Sequence, residues 1–308
     1  MCIRTILVPN PKYRANKKNK GIVPECKDRR LLYVPVACGR CFECRRKKAS
    51  EWMARLSEEI RNHNKCHFIT MTYNNASLSI LRAECKEKGQ IGTNNEIAAL
   101  SVRRWLERIR KQTKKSIKHW IVTELTDEGR IHLHGLIWAE RNYLELWKYG
   151  FTYVGTYVTE KTINYIVKYI LKTNYVDKYY RPKIMASSGI GIGYLYDEKR
   201  VELNFYQGEE TDQTYRTRTG RKIHLPEYYR NKIYTDEERE KLWMHAIDRG
   251  YRWIDGQKVS TDNYKELEEM LLDAQRKDTR ISRIEEAKWD AEKERKKRER
   301  MKKKNKFK

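Results

Sequence analysis

SIKHWIVTEL (Ser116–Leu125) and RIHLHGLIW (Arg130–Trp138) flank the tetrapeptide Thr126-Asp127-Glu128-Gly129. Both runs are rich in β-branched and aromatic residues, and the polar spacer ending in glycine is a turn signal, so together they predict an antiparallel hairpin. In the second strand His132 and His134 are two apart and project from one face, while Ile131 and Leu133 face the other way.

Working outward, Lys65–Tyr73 (KCHFITMTY) reads as a further strand ended by Asn74-Asn75. Ser101–Lys111 reads as an amphipathic helix with Val102, Trp105, Leu106 and Ile109 on one side. Downstream, the pattern predicts a short helix over Asn142–Lys148, a strand over Phe151–Val158 and a helix over Thr159–Lys172 with Thr159 as N-cap. This order implies an α+β fold, a mainly antiparallel central sheet with flanking helices. No internal repeat is visible. The expected divisions are a basic, Cys-rich N-terminal segment (1–60), a core (61–185), an accessory region (186–260) and a helix running into a basic tail (261–308).

The chain has 308 residues, 67 Lys and Arg against 42 Asp and Glu, and a formal net charge of +25. Ala291–Lys308 alone holds eleven Lys or Arg and three Glu, so the excess is spread well beyond the tail. Such a balance favours a polyanionic partner, nucleic acid before an anionic membrane surface. With 35% charged residues and only 39% hydrophobic ones, no bilayer-spanning segment is expected. Nor does the N-terminus have the apolar stretch of a signal peptide. The seven cysteines therefore point to a reducing compartment.

Two imidazoles side by side on a strand can share one cation, or can be a coincidence of spacing. Across the hairpin turn lies Glu124, either a hard oxygen ligand or a surface partner of Arg130. Two imidazoles and a carboxylate would suit Mg²⁺ or Mn²⁺ in a Lewis-acid role. In TINYIVKYILKT (Thr162–Thr173), Ile163, Ile166, Val167, Ile170 and Leu171 share one helical face, and Tyr165, Lys168, Tyr169 and Lys172 the opposite one. That second face is either a rim of aromatics with snorkelling lysines or a set of phenols with cations beside them. A tyrosine ionises near pH 10; neighbouring positive charge would help it attack a phosphodiester.

Near the N-terminus Cys38, Cys41 and Cys44 form C-x-x-C-x-x-C, with Cys2 and Cys26 available as a fourth ligand. The spacing suits structural Zn²⁺, reduced unliganded thiols, or an iron–sulfur run that here lacks its usual fourth cysteine and proline. A bound zinc would hold Arg40, Arg45, Arg46, Lys47 and Lys48 as a phosphate-contacting patch. Gly189–Gly193 (GIGIG) lacks the Lys-Ser/Thr of a P-loop and reads as a flexible turn, so any helicase should come from elsewhere.

FITMTYNN (Phe68–Asn75), Glu124 with RIHLHG (Arg130–Gly135), and YIVKYILK (Tyr165–Lys172) resemble, in this order, the three motifs of the HUH endonucleases that initiate rolling-circle replication. Closer still is the likeness to the replication initiators of gokushovirus-type microviruses. It is carried by Met1-Cys2 with NPKYRANKKNK, by VACGRCFECRRKKASEW (Val36–Trp52) and by LPEYYRNKIYTDEERE (Leu225–Glu240). The resemblance implies a site-specific single-stranded DNA endonuclease and strand transferase with a 5′-phosphotyrosine intermediate. His132, His134 and Glu124 would be metal ligands and Tyr165 and Tyr169 nucleophiles, with Lys168 and Lys172 assisting at the phosphate. Thr70, Thr72 and Asn74 of the first motif would contact DNA. The implied setting is the cytoplasm of a bacterial host, with single-stranded origin DNA, host polymerase and host helicase as partners and no membrane. The rivals are a relaxase, for which a third histidine is missing, a single-strand transposase, which usually has one tyrosine, and a non-catalytic nucleic-acid-binding or packaging protein.

Overall fold

The computed structural model of the chain describes residues 2–279 apart from 64, 127, 156, 173–176, 178–179 and 205–210, together with 291, 294 and 295. The expected basic tail lies outside the described residues but for those three. Two compact units divide the chain: Met1–Lys47 with Trp243–Arg283, and Lys48–Leu242 with Ile284–Lys308.

In chain order, β1 (Ile6–Pro9) pairs antiparallel with β2 (Tyr33–Val36), and helix α1 (Phe42–Asn62) follows. Then come β3 (His67–Met71), α2 (Asn75–Glu87), α3 (Asn94–Thr113), β4 (Lys118–Leu125), β5 (Ile131–Trp138), β6 (Thr152–Gly155), α4 (Glu160–Val167) and β7 (Ile184–Ala186). After α5 (Glu198–Glu202), the strands β8 (Thr214–Arg216) and β9 (Lys222–His224) make a small ribbon, and α6 (Glu227–Ile233) and α7 (Asp236–Asp248) follow. A second ribbon of β10 (Tyr251–Ile254) and β11 (Gln257–Ser260) precedes a helix, α8, over 264–279.

The second unit is built on a fully antiparallel sheet in the order β6-β3-β5-β4-β7. The expected α+β architecture is borne out. Alternation along the strands separates two cores. Ile69, Met71, Ile121, Leu133 and Ile137 pack with residues of α2 and α3, such as Leu81, Ile97 and Trp105. On the other face Trp120, Val122 and Leu136 pack with Leu56 of α1 and with Ile163, Ile166 and Val167 of α4. Gly135, central in β5, is required by close approach: a Cβ there would stand 2.5 Å from the Trp120 carbonyl oxygen.

Several elements differ from the sequence expectation. Helix α3 starts seven residues before Ser101, because Thr93 and Glu96 form a capping box in which Glu96 Oε2 accepts from the Thr93 N–H at 2.7 Å. The Asn142–Lys148 segment is a 3₁₀ helix over Arg141–Leu146, and the strand expected over Phe151–Val158 is only Thr152–Gly155. The helix expected over Thr159–Lys172 is α-helical only to Val167, and Lys168–Ile170 tightens into a 3₁₀ turn.

GIGIG is not a free turn. Gly191 has φ +78°, its N–H donates to Glu59 Oε2 at 2.6 Å, and a Cβ would lie 2.6 Å from the Arg55 carbonyl oxygen. Glu58 and Glu59 of α1 are both 1% exposed, and between them they secure the rest of the unit. Glu59 also accepts from Lys118 Nζ at 2.7 Å at the start of β4. Glu58 takes the Arg200 guanidinium through both oxygens, at 2.7 and 2.8 Å, together with the Tyr215 hydroxyl.

Removing the cation from a buried pair costs more than removing both members. Arg200→Leu is therefore expected to lower unfolding stability in urea by about 3–5 kcal/mol, and Glu58→Leu with Arg200→Leu to recover part of that loss. Equal losses in the two variants would show that the stranded carboxylate is not the cause.

Candidate metal and tyrosine site

In the β4–β5 ladder Glu124 stands directly opposite His132, and Val122 opposite His134. Because Glu124, His132 and His134 share one face, a ligand atom of each lies within 4.8 Å of the other two. This is the donor set of a hard divalent cation with imidazole co-ligands. His134 is 7% exposed and Glu124 9%; His134 Nε2 and Glu124 Oε2 are 2.7 Å apart. The second Glu124 oxygen accepts from Lys172 Nζ. Burial alone would raise the Glu124 pKa, but the hydrogen bonds from His134 and Lys172 outweigh it and hold the carboxyl below its ordinary range. Burial, with the nearby His134 adding to it, lowers the His132 pKa and favours the neutral imidazole that a metal ligand requires.

Behind the ligands, Thr70 of β3 faces His134 in register, and its Oγ1 lies 3.1 Å from His134 Nδ1. The hydroxyl thus holds the ring by the nitrogen turned away from Glu124. The Tyr169 ring stacks on His134 at 4.4 Å with a 2° interplanar angle, and the Tyr169 hydroxyl donates to the Tyr165 hydroxyl at 2.7 Å. Tyr169 is 5% exposed and Tyr165 45%. Desolvation, the bond it donates to Tyr165 and the Glu124 charge all raise the Tyr169 pKa. Lys168 Nζ lies 4.1 Å from the Tyr165 ring centroid, and Phe68 packs edge-on against Tyr165 at 6.3 Å. The structure therefore brings Glu124, His132, His134, Tyr165, Tyr169, Lys168 and Lys172 together.

The other expected site residues are placed differently. Thr70 is bonded to the histidine. Thr72 ties β3 to Phe151, its Oγ1 accepting from the Phe151 N–H at 3.0 Å. Asn74 caps α2 by accepting from the Ser77 N–H at 2.8 Å. In the first unit, Cys2, Cys38, Cys41 and Cys44 bring their sulfurs within 4.8 Å of one another; Cys26 instead donates to the Asp28 carbonyl at 3.0 Å. Burial raises the Cys2 pKa, but backbone N–H donors outweigh it and the value falls to about 7. Arg45 and Arg46 lie 5.9 and 5.3 Å from the Phe42 ring centroid, and Arg40, Arg46 and Lys47 are exposed.

One feature has no sequence signal. Arg55 lies between the rings of Trp52 and Tyr228, at 4.3 and 4.0 Å, on a cavity of about 750 Å³ that Lys48 and Lys183 also line. Neither the spacing nor the residue types mark these positions, which meet only through the packing of α1, α6 and the β7 edge.

No helix among the described residues is long and apolar enough to cross a membrane. No solved structure matches the chain. Among curated proteins it is similar to the replication-associated protein ORF4 of Chlamydia phage 1, with 23% identity over 217 residues that cover 56% of this chain and 51% of the relative. The chain thus spans about half the length of that relative. Residues 66–174, the segment that contains the whole metal and tyrosine site, match the family described as replication-associated protein ORF2, which bears out the resemblance to microvirus replication initiators read from the motifs.

Proposed function

We propose that the chain initiates phage rolling-circle replication as a metal-dependent endonuclease and strand transferase acting on single-stranded DNA. One observation carries this reading: two phenol hydroxyls, 2.7 Å apart, are held by a ring stack directly over a Glu-His-His donor set. The match over residues 66–174 supports a replication role, and the Trp52–Arg55–Tyr228 groove offers the mixture of rings and cations that suits unpaired bases and their phosphates.

Glu124, His132 and His134 would hold the cation. Bound there, Mg²⁺ or Mn²⁺ supplies Lewis-acid polarisation of the scissile phosphate. The remaining chemistry belongs to the chain. Tyr165 is the more exposed phenol and accepts the hydrogen bond from Tyr169, so charge developing on its oxygen meets a donor already in place and the Lys168 ammonium over its ring. Its attack forms a P–O bond to tyrosine and breaks the P–O3′ bond, leaving a 5′-phosphotyrosine; the phenol proton is lost and the departing 3′ oxygen gains one. The free 3′-OH primes a host polymerase, with a host helicase opening the duplex in the bacterial cytoplasm. Tyr169 serves the second cleavage, when Tyr165 is occupied, and resealing releases a circle.

His132→Ala with His134→Ala is expected to reduce nicking of an origin oligonucleotide by at least about 100-fold and to leave low-salt gel-shift binding largely intact, since distributed charge supplies that affinity. Undiminished metal-dependent nicking would overturn the ligand assignment. Tyr165→Phe should abolish the covalent adduct in a single round, whereas Tyr169→Phe should form it yet fail to close a unit-length circle. Adduct formation by the double variant would place the nucleophile elsewhere. Thr70→Val, which removes only the hydroxyl behind His134, should weaken metal-dependent nicking by about 10–100-fold, with added Mn²⁺ restoring part of it. Lost DNA binding with normal metal dependence would make Thr70 a DNA contact instead.

A further inference from the structure

We propose that Cys2, Cys38, Cys41 and Cys44 bind one Zn²⁺, and that this ion is a structural part of the unit formed by Met1–Lys47 and Trp243–Arg283. The spacing is that of a coordination sphere. A tetrahedral zinc with Zn–S near 2.3 Å sets its sulfurs about 3.8 Å apart. Here Cys41 and Cys44 are 3.4 Å apart, Cys38 and Cys44 3.9 Å, and all four lie within 4.8 Å of one another. These separations are far too long for disulfides, and all four cysteines are free.

The surrounding backbone is arranged for anionic sulfur. Cys2 Sγ accepts from the N–H groups of Cys38 at 3.3 Å and Arg4 at 3.4 Å, and Cys38 Sγ from those of Cys41 at 3.3 Å and Arg40 at 3.4 Å. The turn that aims two N–H groups at Cys38 passes through Gly39 at φ +67°, a conformation that glycine adopts without strain. Cys41 and Cys44 lie at the start of α1, where the helix dipole favours negative charge.

The unit also lacks the core to hold itself. Its buried cluster consists of Ile3, Cys41, Ile254, Val259 and Ala274, with the other cluster cysteines at its edge. Folds with so little apolar interior usually depend on a staple. A zinc bound here would fasten residue 2 to the 38–44 turn directly over that cluster, and its binding energy would enter the stability of the unit.

The test uses the full chain produced in zinc-replete medium. Elemental analysis should give close to one zinc per chain, unchanged in Cys26→Ser and in His132→Ala with His134→Ala, and lost in Cys41→Ser with Cys44→Ser. Cobalt reconstitution should give the intense thiolate charge-transfer and ligand-field bands of a tetrahedral sulfur site. If the double Cys variant fails to fold, the wild-type chain still decides: blocking the thiols with a mercurial should release one equivalent of zinc to a coloured chelator. A wild-type chain that carries no zinc, that carries iron and sulfide in its place, or that keeps its zinc after thiol blocking overturns the assignment.

Discussion

Everything at the site depends on the pleat of β5. A strand flanked on both sides can serve two environments only if its residues alternate between them, and β5 does this at the centre of the sheet. Ile131, Leu133 and Ile137 fill one core, while His132 and His134 emerge on the other face beside Leu136. A slip of one residue against β4 would bury the imidazoles in the aliphatic core and turn Leu133 toward Glu124. The same apolar packing that stabilises the sheet therefore fixes the metal ligands, and Gly135 protects the register by letting the β4 backbone approach more closely than any side chain permits.

Glu124 links sheet to helix. Its carboxylate is shared between an imidazole of β5 and the Lys172 ammonium just past the 3₁₀ turn, so the strand that carries the ligands and the segment that carries the phenols are coupled through one buried charge. The stack of Tyr169 on His134 adds a second coupling, made by ring contact rather than charge. Between them these contacts set where both hydroxyls stand relative to the donor set.

The hairpin, the His pair, the facing Glu124 and the Tyr-x-x-x-Tyr segment were legible because each rests on local periodicity, two residues on a strand or about 3.6 on a helix. The sequence did not disclose that α4 gives way to a 3₁₀ turn after Val167, since a three- and a four-residue repeat share the same apolar positions over so short a span. Strand order was also hidden: β7 has three residues and joins the sheet only by pairing with β4, more than sixty positions away in sequence. The buried Glu58 and Glu59 were unreadable for a related reason. On sequence alone they look like solvated helix charges, and only the distant Arg200, Lys118 and Gly191 give them partners. Thr70 stood inside a motif whose resemblance suggested contact with DNA, whereas its hydroxyl turns to the histidine across the ladder.

The composition of the first unit has a consequence for synthesis. Residues 1–47 share a unit with 243–283, so the opening stretch of the chain leaves the ribosome long before its partners exist. At bacterial elongation rates of about 5–20 residues per second, the interval is on the order of ten to forty seconds. Throughout it the four clustered cysteines and their sparse apolar companions are nascent-chain surface, while 48–242 can fold as it emerges. The unit that closes last is thus the one whose sequence begins first, and the high separation of its contacts makes its assembly the slow step of maturation.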